Sequence, residues 1–121
     1  MPSALDLAPP DAREALALMH GVGGDDLVIT LLRTFVRFAD ERVAAATEAA
    51  TAGDGAAVNR IAHALKSSAS QVGAHAVGKA CAEAEAETPQ ADAERTTALV
   101  AAISREYATA RVWMETVMTP R

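Results

Sequence analysis

Four breaks divide this chain into stretches that each carry one apolar face at helical spacing, and none of those stretches alternates as a strand would. Gly21, Gly23 and Gly24 make the first break, Gly53-Asp54-Gly55 the second, Gly73 the third and Thr88-Pro89-Gln90 the fourth. Glycine interrupts a helix through its backbone freedom, and proline through its missing N–H. The spacing predicts a short first helix over about Asp11 to His20 and a long second one after Asp25 or Asp26, ending near Ala52. At about 100° per residue, Val28, Leu31, Leu32, Phe35, Phe38, Ala39 and Val43 share one side of the second helix. Arg33, Arg37, Asp40 and Glu41 take the other. A third helix runs from about Gly55 to Val72, a fourth from His75 to Glu87 and a fifth from Ala91 to Met118. The inner stripe of the fourth is Val77, Ala80, Cys81 and Ala84; that of the fifth is Leu99, Ile103, Tyr107, Ala110, Met114 and Val117. Half the residues are apolar but only 3% are aromatic, and small aliphatic side chains suit closely packed helices. Four longer helices with short connections can bury their stripes only against one another. The expected fold is therefore all-α: an antiparallel four-helix bundle with a short additional N-terminal helix, one domain over 1–121 with its core at about 11–118.

The balance of charge narrows the partners. A formal net charge of −5 argues against nucleic acid, whose phosphates call for a basic surface. Cys81 is alone, so no internal disulfide forms, as fits a reducing compartment. Asp6, Pro9, Pro10 and Asp11 interrupt the N-terminus before it resembles an export signal. No stretch approaches the roughly 18 uncharged apolar residues of a membrane span. The expectation is a cytoplasmic monomer that binds neither nucleic acid nor membrane. No His-x-x-x-His or paired-cysteine spacing occurs, so no metal site is expected. Gly21-Val22-Gly23-Gly24 lacks the Gly-Lys-Ser/Thr ending of a nucleotide loop and reads as a connector.

Chemistry concentrates on the third helix. Val58, Ile61, Ala62, Leu65, Ala69 and Val72 define its buried side, and His63 points about 150° away from the centre of that stripe. Asn59, Lys66, Ser67 and Ser70 lie on the same outward side. A neutral imidazole offers a nucleophilic nitrogen near physiological pH, while its other nitrogen can be held by an acceptor. Lys66 at i+3 can reach a phosphoryl group on the ring, and the small Ser67 and Ser70 leave clearance for a partner. Position alone does not separate this from an ordinary surface histidine with a lysine nearby. His20 and His75 sit near helix ends, where a capping or cationic role suffices. Ser67 and Ser68 lack the base and acid of a hydrolytic nucleophile. Trp113 and Met114 read as packing residues.

The stretch Ile61-Ala62-His63-Ala64-Leu65-Lys66-Ser67-Ser68-Ala69-Ser70-Gln71-Val72-Gly73-Ala74 resembles the signature of the histidine phosphotransfer (HPt) family. That signature has one or two apolar residues, His-x-Leu-Lys-Gly, two small residues, then Gly-Ala; His63, Leu65, Lys66, Ser68, Ala69, Gly73 and Ala74 match in place. Serine replaces the usual glycine at Ser67, which crowds the ring slightly. The likeness extends over about Leu5 to Met118. It implies that His63 is phosphorylated and that Lys66 stabilises the phosphoryl group. It also implies that Glu85, where the family often has a glutamine or glutamate, contacts the imidazole; as a residue type, Glu85 reads equally as one more acid in the run Glu83, Glu85, Glu87.

By the same resemblance, the partners are receiver domains of response regulators or hybrid kinases. They supply the divalent cation, magnesium, while this chain binds no cofactor and has no ATP site of its own. Docking is expected on the outward face of the third helix, through Asn59, Ser67 and Ser70, and on the second, with Ile29 and Val36 as exposed anchors. Two rival readings stay open. One is a phosphoacceptor domain charged directly by a kinase catalytic domain, and the other a helical module that only binds.

Overall fold

The computed structural model describes residues 2–119. Among them are five helices and no strand: α1 (Ala4–Leu7), α2 (Pro10–Thr51), α3 (Gly55–Gln71), α4 (His75–Glu87) and α5 (Ala93–Met118). The last four form the antiparallel bundle, in the order α2, α3, α4, α5 around its axis, so that each neighbours the next and α5 closes against α2. The inner stripes meet as their spacing requires. Leu16, Leu32, Leu65, Ile103 and Met114 are fully buried, and Phe35 meets Tyr107 edge to face at 6.2 Å between ring centres. Each such aliphatic side chain contributes about 2 kcal/mol on leaving water. A smaller cluster of Ala46, Ala50, Val58 and Val100 closes the end where α2 turns into α3.

Two boundaries differ from the sequence reading. The first helix continues past His20 through Gly21 and Gly23, because glycine in helical conformation costs only about 1 kcal/mol. The break falls at Gly24, with φ 67° and ψ −158°, a conformation closed to most side chains. The expected first and second helices are thus the two arms of one kinked segment. The other difference is α1, which was not expected; Ser3 and Asp6 make a reciprocal capping box at its start. Asp25 ties both features together, since its carboxylate accepts from the Ala4 amide and pairs with the His20 ring across the kink.

Gly73 fixes how the N-terminal arm lies on the bundle. Its φ of 77° makes the α3–α4 turn, and a Cβ there would stand 2.6 Å from Ala12 Cα. Backbone therefore rests on backbone at this point, and any other residue would push the arm away. By length and composition alone α2 is apolar enough to cross a membrane. The Gly24 break and the acids Asp25 and Asp26 divide it, and its Val28, Leu32, Phe35 and Ala39 stripe is committed to the core.

Candidate functional site

α3 presents His63 because its apolar stripe fixes the rotation of the helix. Val58, Ala62, Leu65 and Ala69 are buried, which leaves residue 63 on the outer side with 64% of its side chain exposed. Asp54 caps the helix by accepting from the Ala57 amide at 3.0 Å, so the helix starts where its pattern does. On the neighbouring helix, Val77, Ala80, Cys81 and Ala84 point into the core and turn Glu85 towards α3.

Glu85 joins the site's two other charged or titratable groups. Its Oε2 lies 2.5 Å from His63 Nδ1 and its Oε1 accepts from Lys66 Nζ at 2.5 Å. A carboxylate can only accept, so Nδ1 carries a proton and donates to it, and in the neutral ring the lone pair is then on Nε2. Hydrogen bonds from Lys66 and then His63 hold the Glu85 carboxyl below the usual glutamate range, against a smaller opposing effect of burial. The result is an oriented imidazole with one nitrogen held and one free, and an ammonium one turn further along the same helix.

Small hydroxyls surround the ring. Ser67 Oγ turns back to the His63 carbonyl and Ser70 Oγ to the Lys66 carbonyl, at 3.4 and 3.1 Å, so neither projects as a barrier. Cys81 lies beneath, buried, and burial pushes its thiol up to about 12, so it stays protonated and offers no competing nucleophile at neutral pH.

The structure places the remaining expected residues differently. Val36 is buried in the core, and Tyr107 donates to its carbonyl from α5; it is not an exposed anchor. Ile29 is half-buried against the same core. Both follow from a rotation of α2 that turns Leu31, Thr34 and Phe38 towards the α3 side instead. With Met19, Phe35, Ser68, Gln71 and Val72 these line an open, mostly apolar cleft of about 280 Å³ at the α2–α3 seam. Leu31 and Phe38 were assigned to the inner stripe by spacing, and their half-exposure at its edge is what the wheel could have signalled. Asn59 does not project outward either: its amide bonds Glu85 O and Thr88 Oγ1 across to α4. His75 is remote from this chemistry, with Nε2 bonded to the Asp11 carbonyl. Among the described residues no group of histidine, cysteine or acidic side chains is disposed to hold a metal.

Comparison with known proteins adds to this geometry. The Hpt domain family model matches residues 30–112. The chain is similar to the crystal structure of histidine-containing phosphotransfer protein B from Pseudomonas aeruginosa PAO1, with a TM-score of 0.79 and 30% identity over 90% of this chain and 95% of that one. A search of curated proteins found no match.

Proposed function

Since the chain belongs to the Hpt domain family and so has a histidine phosphotransfer role, we propose that His63 is its phosphoryl carrier, charged by one receiver domain and discharged to another. The observation that supports this most directly is the setting of the ring: Nδ1 is bonded to Glu85 in a side chain that is otherwise largely exposed.

The transfer runs as follows. A phospho-aspartate of the donor receiver meets Nε2 in line. The N–P bond forms as the P–O bond to the aspartate breaks, and the carboxylate leaves on the donor. Because Nδ1 keeps its proton, the ring becomes cationic as the bond forms, and the Glu85 carboxylate beside it offsets that charge. Lys66 serves the other end of the charge shift, where its ammonium can turn from Glu85 to the phosphoryl oxygens. The return step is the reverse, with the acceptor's aspartate as nucleophile. We assign the divalent cation of the reaction to the receiver, whose aspartate it would coordinate; this chain brings Lys66 as its own positive charge. The cleft bordered by Leu31, Phe38 and Met19 lies on the seam beside α3 and gives a receiver an apolar foothold. Ser67, whose hydroxyl turns back to the His63 carbonyl, keeps the surface beside the ring low.

Mixing the protein with phosphorylated receivers tests the proposal. The expected result is rapid appearance of label that is acid-labile and alkali-stable, and its absence in His63→Gln. If no receiver charges the folded wild-type protein, the carrier reading fails in favour of a module that only binds.

A further inference from the structure

We infer that Asn59 is a positioning residue of the phosphotransfer site, acting through the backbone of Glu85; this rests on the reading of His63 as the carrier. Asn59 sits one turn before His63 on α3, and by residue type it belongs to the outward docking face. Its side chain instead crosses to α4, where Nδ2 donates to Glu85 O at 2.6 Å and to Thr88 Oγ1 at 2.9 Å. A carbonyl can only accept, so the amide's orientation follows from the partner itself.

The reason for this bond lies in the sequence. In a continuing helix, the carbonyl of residue 85 would accept from the N–H of residue 89. The backbone stays helical through Thr88, with φ −59° and ψ −30°, so residue 89 is placed to serve. Residue 89 is proline and has no N–H to give. The Asn59 amide takes the place of that missing donor. Thr88 is 5% exposed, so its hydroxyl also depends on an internal partner, and Asn59 meets it with the same nitrogen.

The consequence reaches the ring. Glu85 is the residue whose carboxylate holds both His63 Nδ1 and Lys66 Nζ, and its backbone is tied to α3 only four residues before His63. The Asn59 bond sets the separation of α3 and α4 and the rotation of α4 at this level. It thereby keeps the carboxylate within reach of Nδ1, and so keeps the lone pair on Nε2. Pro89 and Asn59 form a matched pair: one leaves the carbonyl vacant, the other fastens it to the helix that bears the nucleophile.

The test measures the tautomer and the chemistry separately. In Asn59→Asp the carboxylate cannot donate and faces the Glu85 carbonyl as a second acceptor. The His63 ring, read by nitrogen-15 chemical shifts, then moves from the Nδ1–H form towards a mixture. Transfer from a phosphorylated receiver slows on the order of tenfold, the equivalent of one hydrogen bond, while receiver affinity is unchanged. Asn59→Ala shifts the tautomer in the same direction. A folded Asn59→Asp protein with the wild-type tautomer overturns the inference. Weaker receiver binding with an unchanged tautomer overturns it too, since that outcome makes Asn59 a docking residue. Should the Asn59 variants not fold, Thr88→Val decides, with a smaller shift in the same direction expected and no shift counting against it. A wild-type protein that no receiver charges would sink the carrier reading alone, because the tautomer measurement needs no phosphate.

Discussion

Asp40 and Glu85 are each held between a ring and a cation, Asp40 at the α2–α5 seam and Glu85 at the α3–α4 seam. Asp40 Oδ1 accepts from Tyr107 Oη at 2.6 Å and from Arg111 at 2.7 Å. Glu85 takes His63 on one oxygen and Lys66 on the other. The two arrangements differ in what is left over. Tyr107 is 5% exposed, and its one hydroxyl proton goes to Asp40, with the Val36 carbonyl a longer second acceptor at 3.2 Å. Burial first, and then the bond to Asp40, raises its pKa well above the ordinary tyrosine value, so it remains a neutral strut. His63 has a second heteroatom that the network does not use, in a side chain that is largely exposed. A carboxylate bridge thus ties a seam in either place; only at Glu85 does the ring keep a spare nitrogen, which is what the proposed carrier role requires.

The largest effect expected from this contrast is at the spare atom itself. His63→Gln removes it and should abolish phosphoryl labelling altogether, yet unfolding in denaturant should show a stability change within about 0.5 kcal/mol, as for an exposed side chain. Loss of the fold instead would mean that the ring is structural, like Tyr107, and the contrast would break. Next comes the bridging acid. Glu85→Ala should slow transfer by about 10- to 100-fold in rapid-quench measurements, through loss of tautomer control and of charge compensation on the ring. An unchanged rate would reduce the bridge to decoration.

Tyr107→Phe examines the other side. It should cost about 1–2 kcal/mol of stability, seen as a lower Tm, by removing a buried hydrogen bond. Transfer per folded molecule should stay at the wild-type rate; a slowed transfer would show that the two seams are coupled. The smallest effect is a titration. The Glu85 carboxyl is held below 4.5, the ordinary glutamate value, mainly by Lys66. A depressed folded-state pKa means the bridge stabilises the fold fully above that value and is lost as pH falls through the lower folded one. Carbon-13 titration should therefore find the wild-type midpoint below 4.5 and a higher one in Lys66→Met. No movement would show that Lys66 does not share the carboxylate in solution.

The Asp40 network itself shows where pattern reading stops. Helical periodicity puts Asp40 on the solvent side of α2, whereas the packing of α5 lays Tyr107 and Arg111 against it. The same applies to Val36, whose place at the edge of the stripe suggests exposure until α5 covers it. Inner stripes were legible because they are wide: every residue assigned to the inside of α4 and α5 is buried. At the site, the outward direction of His63 was legible for the same reason, and the local signature named Lys66 beside it. The inward turn of Asn59 was not, although Pro89 left a trace of it in the chain.

What the amino-acid order determined alone was everything governed by neighbours within a turn or two. That covers the helical class, the ends of α3 and α4, and the face of α3 that bears the imidazole. These follow from backbone conformation and a 3.6-residue period, which act locally. Tertiary structure decided which nitrogen of His63 is left free. That outcome depends on how far α4 stands from α3 and how it is rotated, quantities set by side chains from both helices packing together. No residue carries that information by itself; it exists only once Glu85, Asn59 and His63 share a seam.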